Sequence, residues 1–393
     1  MWRKLCAACA ALCVLLCARP ASAATLSEGA MVEDVPVPLS CVSALLAEPE
    51  SGQILFEMNA DERRPVASVT KIMTILLALE AVEEGRIALE DPVAISEYAA
   101  GMGGSQVLLD PGERQTVDVL LKSTIVGSAN DAAVALAEHI AGSAALFVDR
   151  MNERAEQLGM KDTHFVNATG LPAEGQYTTA RDVARMSMEL IRHETYFRYS
   201  GVWLDEVVHN SGRATTLTNT NRLIRLYDGC DGIKTGSTRE AGYCMAATAV
   251  RGGMRLIAVV LGAPSGSERF EAARQMMDFG FAGYRRYPVA QKGARIRGEL
   301  PVRGGAAQSV PLELDGDLTL LLEKGEESQV SLSPNLPEWV DAPVRRGDCV
   351  GSVDVLLGER LLARLPVAAA QDVPRQSLWD GWRRVKQNWM YER

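Results

Sequence analysis

Ser68 and Lys71, in the run Ser68-Val69-Thr70-Lys71, stand three residues apart where an apolar stretch begins. On a helix that spacing brings both side chains to one face. A serine hydroxyl is a weak nucleophile until a base takes its proton. A lysine amine is that base when burial or a nearby cation keeps it neutral. The spacing is cheap evidence by itself, because Ser-x-x-Lys arises about once by chance in a chain of this length. Two further groups add weight. Ser128-Ala129-Asn130 follows a helical stretch and supplies a hydroxyl for proton relay and an amide for a substrate carbonyl. Lys234-Thr235-Gly236-Ser237 lies on the edge of an expected strand, after Asp231-Gly232-Ile233. Gly236 permits close backbone approach by a ligand. An extended peptide can add along such an edge, with Lys234 and Thr235 meeting a terminal carboxylate. A second Ser-x-Asn, Ser333-Pro334-Asn335, reads as a loop.

The elements that must hold these groups follow from the hydrophobic pattern. Val42 to Glu57 reads as two strands around Glu48-Pro49-Glu50-Ser51-Gly52. Ser68 to Glu84, Val117 to Ile140, Ala144 to Leu158, Ala180 to Arg192 and Glu268 to Phe281 carry helical periodicity. From Cys230 to Gly262 the pattern is that of strands, with Arg251-Gly252-Gly253 as a hairpin turn. Strands at both sequence ends of the segment imply one α/β domain, residues 24–288, whose sheet joins its first and last strands around a helical insert. From Val289 short apolar runs alternate with turns such as Gly304-Gly305 and Asp315-Gly316-Asp317, and Val353 to Leu362 reads as a hairpin. That predicts a small all-β domain over 289–366.

The two ends of the chain bear on the compartment. Arg3 and Lys4, an apolar run from Leu5 to Ala18 and the small-x-small triplet Ala21-Ser22-Ala23 read as a secretory signal, residues 1–23. The run is short for a membrane span. The signal carries Arg3, Lys4 and Arg19, so its removal takes the net charge from −9 to −12. Cys41, Cys230, Cys244 and Cys349 lie beyond it at wide, irregular spacing, and buried free thiols are the expectation. At the other end, residues 367–374 read as a linker and 377–393 as an amphipathic helix. Leu378, Trp382, Val385 and Trp389 fall on one narrow face, with Arg383, Arg384 and Lys386 elsewhere around it. Such a helix is too short and too charged to span, and suits a membrane surface.

Composition narrows the field. A pI near 5.2 argues against a nucleic-acid partner. There is no His-Glu-x-x-His, Gly-x-x-x-x-Gly-Lys or Gly-x-Gly-x-x-Gly, so zinc-peptidase, P-loop and dinucleotide readings have no support. The four histidines, His139, His164, His193 and His209, show no ligand spacing. No metal and no cofactor are expected.

Taken in order, Ser68-x-x-Lys71, Ser128-x-Asn130 and Lys234-Thr235-Gly236 form a set shared by penicillin-binding proteins and class A β-lactamases. The chain resembles the low-molecular-mass penicillin-binding proteins that act as serine-type D-alanyl-D-alanine carboxypeptidases of the peptidase S11 kind. His164-Phe165, Asn167, Gly170-Leu171, Ala180-Arg181-Asp182 and Ala241-Gly242-Tyr243 extend the likeness. The resemblance implies a β-lactamase/transpeptidase-like α/β domain, with an antiparallel sheet flanked by helices, then the all-β domain and the C-terminal amphipathic helix. It implies an acyl-enzyme on Ser68 with Lys71 as base, and Ser128 relaying a proton to the leaving D-alanine. Asn130 would orient the substrate, and Lys234, Thr235, Gly236 and Arg269 would bind its carboxylate end. The backbone N–H groups of Ser68 and Ser237 would form the oxyanion hole. The implied partners are peptidoglycan stem peptides ending in D-Ala-D-Ala, with β-lactams as covalent inhibitors, at the outer face of the cytoplasmic membrane of a bacterial envelope. Ser237 stands where some members have His, and Thr220 where some carry Arg. A class A β-lactamase would need a Glu-x-x-Leu-Asn between Asn130 and Lys234, and none is present. Cutting of cross-links and a non-catalytic glycan-binding scaffold are the other readings.

Overall fold

A computed structural model of the chain describes residues 25–27, 30–32, 38–377, 379 and 382. It divides into two compact units, Ala24–Gly283 and the chain from Tyr284 onward.

In the first unit β1 (Ala30–Val32), β2 (Ser43–Glu48) and β3 (Gln53–Met58) lead into α1 (Lys71–Glu83) through a single 3-10 turn, Ala67–Thr70. The small strands β4 (Pro92–Ala94) and β5 (Arg114–Thr116) precede the helices α2 (Val117–Val126), α3 (Asn130–Ala141), α4 (Ala144–Gln157), α5 (Ala180–Leu190) and α6 (Glu194–Ser200). The hairpin β6 (Leu204–Val208) and β7 (Ala214–Thr218) comes next, then β8 (Cys230–Thr238), β9 (Gly242–Arg251), β10 (Met254–Ala263) and α7 (Gly266–Gly283). The sheet order is β1-β3-β2-β10-β9-β8. β2 pairs antiparallel with β10, Leu46 opposite Ala258, so the strand expected from the start of Val42–Glu57 and the last strand meet at the centre, while β1 lies at the edge beside β3. β8 is at the edge, with no strand on its outer side among the described residues.

The central strands read as unbroken apolar runs because both faces are covered. β10, Met254-Arg255-Leu256-Ile257-Ala258-Val259-Val260-Leu261, packs against α5 and α7. Gly280 lets α7 settle closely: a Cβ there would stand 2.6 Å from Leu256 Cδ1 and 3.1 Å from Leu46 Cδ2. α1 is buried along almost its whole length, in a core shared with α2, α3 and α5. Side-chain caps fix several helix starts, Thr116 for α2, Ser143 for α4 and Thr179 for α5.

One expected helix is in fact two. The periodicity from Val117 to Ile140 is interrupted at Gly127-Ser128-Ala129, where Ser128 takes a left-handed φ of 59°. Apolar spacing continues across the break, so the pattern does not register it. What interrupts the ladder is a backbone conformation that only a few per cent of non-glycine residues adopt.

The second unit is all-β. A six-stranded sheet in the order Val330–Asn335, Cys349–Leu357, Arg360–Ala369, Ser309–Leu314, Arg295–Arg303, Val340–Asp341 accompanies the pair Tyr284–Ala290 and Leu318–Glu323. Three readings are corrected here. The β texture begins at Tyr284, ahead of Val289. Ser333-Pro334-Asn335 ends an exposed edge strand rather than a loop, a position where proline costs no ladder bond. The segment 367–374 is no linker: Val367 to Ala369 are buried in the last strand, and Val373 is buried and bridges Val344. Pairing with the strands on either side holds these consecutive small apolar residues in the core. Cys41, Cys230, Cys244 and Cys349 are free thiols, but only Cys244 is buried; Cys41 and Cys230 are half-buried and Cys349 is exposed. The signal reading lies outside the described residues, as does most of the tail reading. Of that tail Ser377, Trp379 and Trp382 are described, the two tryptophans helical and about three-quarters exposed.

Candidate active site

Ser68 sits in the 3-10 turn that opens α1, directly after Ala67, whose φ is +50°. A left-handed non-glycine residue stores backbone strain. Here it turns the chain sharply before the serine. Ser68 Oγ lies 2.8 Å from Lys71 Nζ. Lys71 Nζ also donates to the carbonyl of Thr169 at 2.8 Å. Lys71 is fully buried, and burial, reinforced by the Lys234 cation, holds its pKa well below the usual lysine value of 10.5; Asp131 pulls weakly the other way. The amine therefore has the geometry and the proton affinity of a general base.

The carbonyl of Thr169 is offered by a loop that one side chain shapes. Asn167 Oδ1 accepts from the N–H groups of Thr169 (3.1 Å) and Gly170 (2.7 Å) and from Thr169 Oγ1 (3.0 Å), and its Nδ2 donates to Leu171 O (2.9 Å). Gly170 then passes beside Ser68. A Cβ there would lie 1.8 Å from Ala67 O and 3.0 Å from Ser68 N, and its φ is +81°.

Opposite stands the edge strand. A Cβ on Gly236 would be 2.7 Å from Ser68 N, 2.7 Å from Val66 O and 2.9 Å from Val69 N, so β8 lies backbone against backbone on the turn that carries Ser68. Lys234 is buried, and burial with repulsion from Arg269 lowers its pKa to about 7. Its Nζ reaches Thr235 O at 3.3 Å. Thr235 Oγ1 meets Thr220 Oγ1 at 2.7 Å. Arg269, early in α7, donates from Nη1 to Gly236 O and Cys244 O, both at 3.2 Å, leaving its buried Nε without a partner. Burial lowers its pKa to about 10. Ser237 is exposed at the strand end.

The third side comes from the break between α2 and α3. Ser128 is buried, and its hydroxyl has no hydrogen-bond partner among the described residues. Asn130 donates from its backbone to Ser105 O (2.7 Å) and from Nδ2 to Gly103 O (2.6 Å), while its buried Oδ1 is unpartnered. A buried acceptor without a donor is costly and marks a place where a ligand fits. Asp131 fixes the overlying loop by accepting from Val107 and Leu109 N–H.

The Ser68 turn, β8 and the Gly170 loop are thus in direct contact. The Ser128-Ala129-Asn130 segment joins them through two further touches: Val126 O accepts from Thr220 N–H (3.3 Å), and Gly104 lies between Asn130 and Leu171. Thr169, Asn167 and Asp131 have structural parts to play here that residue-type reasoning did not assign. Among the described residues two carboxylate–histidine groups lie elsewhere, Glu80/Glu189/His193 and Asp110/Glu113/His209. Arg154 already bridges Glu80 and Glu189, and Arg213 lies on Asp110 and His209, so cations of the chain occupy both.

Comparisons with known proteins follow the same division. A family profile described as D-alanyl-D-alanine carboxypeptidase matches residues 30–265, and one described as the C-terminal domain of penicillin-binding protein 5 matches 284–375. The chain is 40% identical over 348 residues to the D-alanyl-D-alanine carboxypeptidase DacF of Bacillus subtilis, covering 88% of this chain and 89% of the relative. It is 33% identical over 354 residues to DacA of Escherichia coli, covering 88% and 86%. Penicillin-binding protein 5 of Haemophilus influenzae superposes with a TM-score of 0.73 at 32% identity, over 87% of this chain and all of that one.

Proposed function

Because the chain belongs to the D-alanyl-D-alanine carboxypeptidase family of serine-type penicillin-binding proteins, we propose that Ser68 is the residue it acylates and that the groups around it divide the work as follows. A stem peptide ending in D-Ala-D-Ala lies along the free edge of β8. Its terminal carboxylate meets Lys234, Thr235 and Arg269, and Asn130 receives the amide ahead of the scissile bond. Ser68 Oγ attacks the carbonyl carbon, and its proton passes to the neutral amine of Lys71. The N–H groups of Ser68 and Ser237 hold the oxyanion, a charge present only in the transition state. As the carbon–nitrogen bond breaks, Ser128 relays that proton from Lys71 to the leaving D-alanine amine, which leaves Lys71 neutral again. Water then attacks the ester, the shortened peptide leaves and Ser68 regains its proton. A β-lactam offers a similar carbonyl and carboxylate but keeps its leaving group tethered, so it remains on Ser68.

The observation that carries this reading is the 2.8 Å contact between Ser68 Oγ and a fully buried Lys71 whose charge the surroundings oppose. The site belongs outside the cytoplasm, with the helix 377–393 resting on the membrane surface. Supporting this are the signal-like residues 1–23 and the exposed Trp379 and Trp382. The decisive experiment times release of free D-alanine from a pentapeptide ending in D-Ala-D-Ala, wild type beside Ser68→Ala. Release that vanishes in the variant is the expected result. A folded wild type that releases none overturns the reading and points to cross-linked peptide as substrate.

A further inference from the structure

Thr220 lies between two buried asparagines that are fully engaged. Asn219 Nδ2 donates to Ser200 O and Val202 O, both at 2.9 Å, and its Oδ1 accepts from Asn221 N–H at 2.9 Å. Asn221 Nδ2 donates to Gly232 O at 2.7 Å, two residues before Lys234, and its Oδ1 accepts from Leu223 N–H at 3.0 Å. The backbone on either side of Thr220 is thereby fixed to the chain after α6 and to β8. Thr220 N–H reaches Val126 O, two residues before Ser128. Its β-branched side chain has few rotamers to choose from, and its hydroxyl stands 2.7 Å from Thr235 Oγ1.

We propose that Thr220 is a positioning residue for recognition of the substrate's C-terminal carboxylate, acting through Thr235. The inference rests on the reading above, in which Thr235 meets that carboxylate. Without substrate, the Thr235 hydroxyl spends its proton on Thr220. With substrate, that O–H swings to a carboxylate oxygen, and the Thr220 O–H turns to donate to Thr235 Oγ1. Two hydroxyls rotate; no covalent bond is made or broken. The resulting O–H···O–H···O⁻ chain is polarised along its length, so the second hydroxyl strengthens the first. A valine at 220 fills the same space, supplies no donor and leaves Thr235 Oγ1 without its partner.

The test compares wild type, Thr220→Val and Thr220→Ser on two peptides, one ending in D-Ala-D-Ala as the free acid and one as the C-terminal carboxamide. Single-turnover conditions keep slow cleavage measurable. Thr220→Val is expected to raise KM for the acid about tenfold, the upper end of the worth of one neutral hydrogen bond, with kcat within about twofold. Thr220→Ser is expected to recover most of that loss. The acid-to-amide ratio of kcat/KM should fall about tenfold in Thr220→Val and be regained in Thr220→Ser. That ratio is internal to each protein, so it survives a modest loss of folded material, which a melting curve reports. Equal losses on acid and amide, or a fall in kcat with KM unchanged, would show that Thr220 only props the Ser128 turn. A wild type that releases no D-alanine sinks the reading of the site; an active wild type whose ratio ignores Thr220 sinks this inference alone.

Discussion

Lys234 carries a conflict between stability and catalysis that substitution exposes. In the unfolded chain its amine has the ordinary value near 10.5, and in the folded site burial and the Arg269 cation bring it to about 7. Each pH unit of that gap is worth about 1.4 kcal/mol, so folding around this lysine costs about 4 kcal/mol at pH 7. The sign follows from proton counting. Between pH 7 and 10.5 the unfolded chain binds the proton more readily, so this group's contribution to stability rises with pH. The penalty is full below about pH 7 and vanishes above 10.5. Lys234→Met keeps the apolar stem and removes the charge. It also removes the 3.3 Å bond to Thr235 O, a loss of about 1 kcal/mol. A net gain of about 3 kcal/mol at pH 7 corresponds to a Tm rise of roughly 8 °C for a domain of this size. Thermal melts of wild type and variant at pH 6, 7, 8 and 9 check it, with D-alanine release lost throughout. A Tm difference that stays constant with pH, or widens as pH rises, refutes the reasoning.

Arg269→Gln removes the cation that presses on Lys234, so the ammonium survives to higher pH; the alkaline limb of kcat/KM, starting near pH 7 in wild type, should move upward, and a pH–rate profile reads the shift. The acid limb, set by Lys71, should stay where it is. Gly236→Ala places a Cβ 2.7 Å from Ser68 N and Val66 O, backbone atoms that cannot step aside, and should lower acylation by a penicillin more than about a hundredfold through misplacement of the nucleophile. Ending the chain after Gln376 should leave D-alanine release intact and abolish flotation with anionic lipid vesicles, measured beside the chain that retains residues 377–393. Flotation undiminished by the cut would remove the tail's assigned part.

What the residues disclosed and what they withheld have separate physical causes. Ser68-x-x-Lys71 and Lys234-Thr235-Gly236 are legible because their chemistry lies in side-chain type and spacing. The central sheet is legible because strands buried on both faces leave unbroken apolar runs on either side of a helical stretch. The carbonyl of Thr169, which gives Lys71 its second partner, is a backbone group and has no signature of its own. The φ of Ser128 splits a helix that periodicity alone runs together, because apolar spacing resumes in phase beyond it. Val367 to Ala369 look like linker by composition, yet pairing with neighbouring strands holds them in the core. Gly236 was legible as a point of close approach; that the approaching backbone includes the nucleophile's own turn depends on contacts between residues 168 apart in number, Ser68 and Gly236.

The pairing of β2 with β10 sets a schedule. Leu46 must wait for Ala258, roughly 200 residues further along, before the middle of the sheet closes. Loop closure over that span costs about 5 kcal/mol in chain entropy, and contacts of such high order are slow to form. During synthesis from the N-terminus, Ser68 and Lys71 emerge long before the strand that carries Lys234 and the helix that carries Arg269. Until those arrive Lys71 is neither buried nor pressed by a second cation, so it keeps its proton and Ser68 stays an ordinary alcohol. On the role proposed for Ser68, a half-made chain is therefore chemically mute, and its reactivity begins only once β8 and α7 have packed into place.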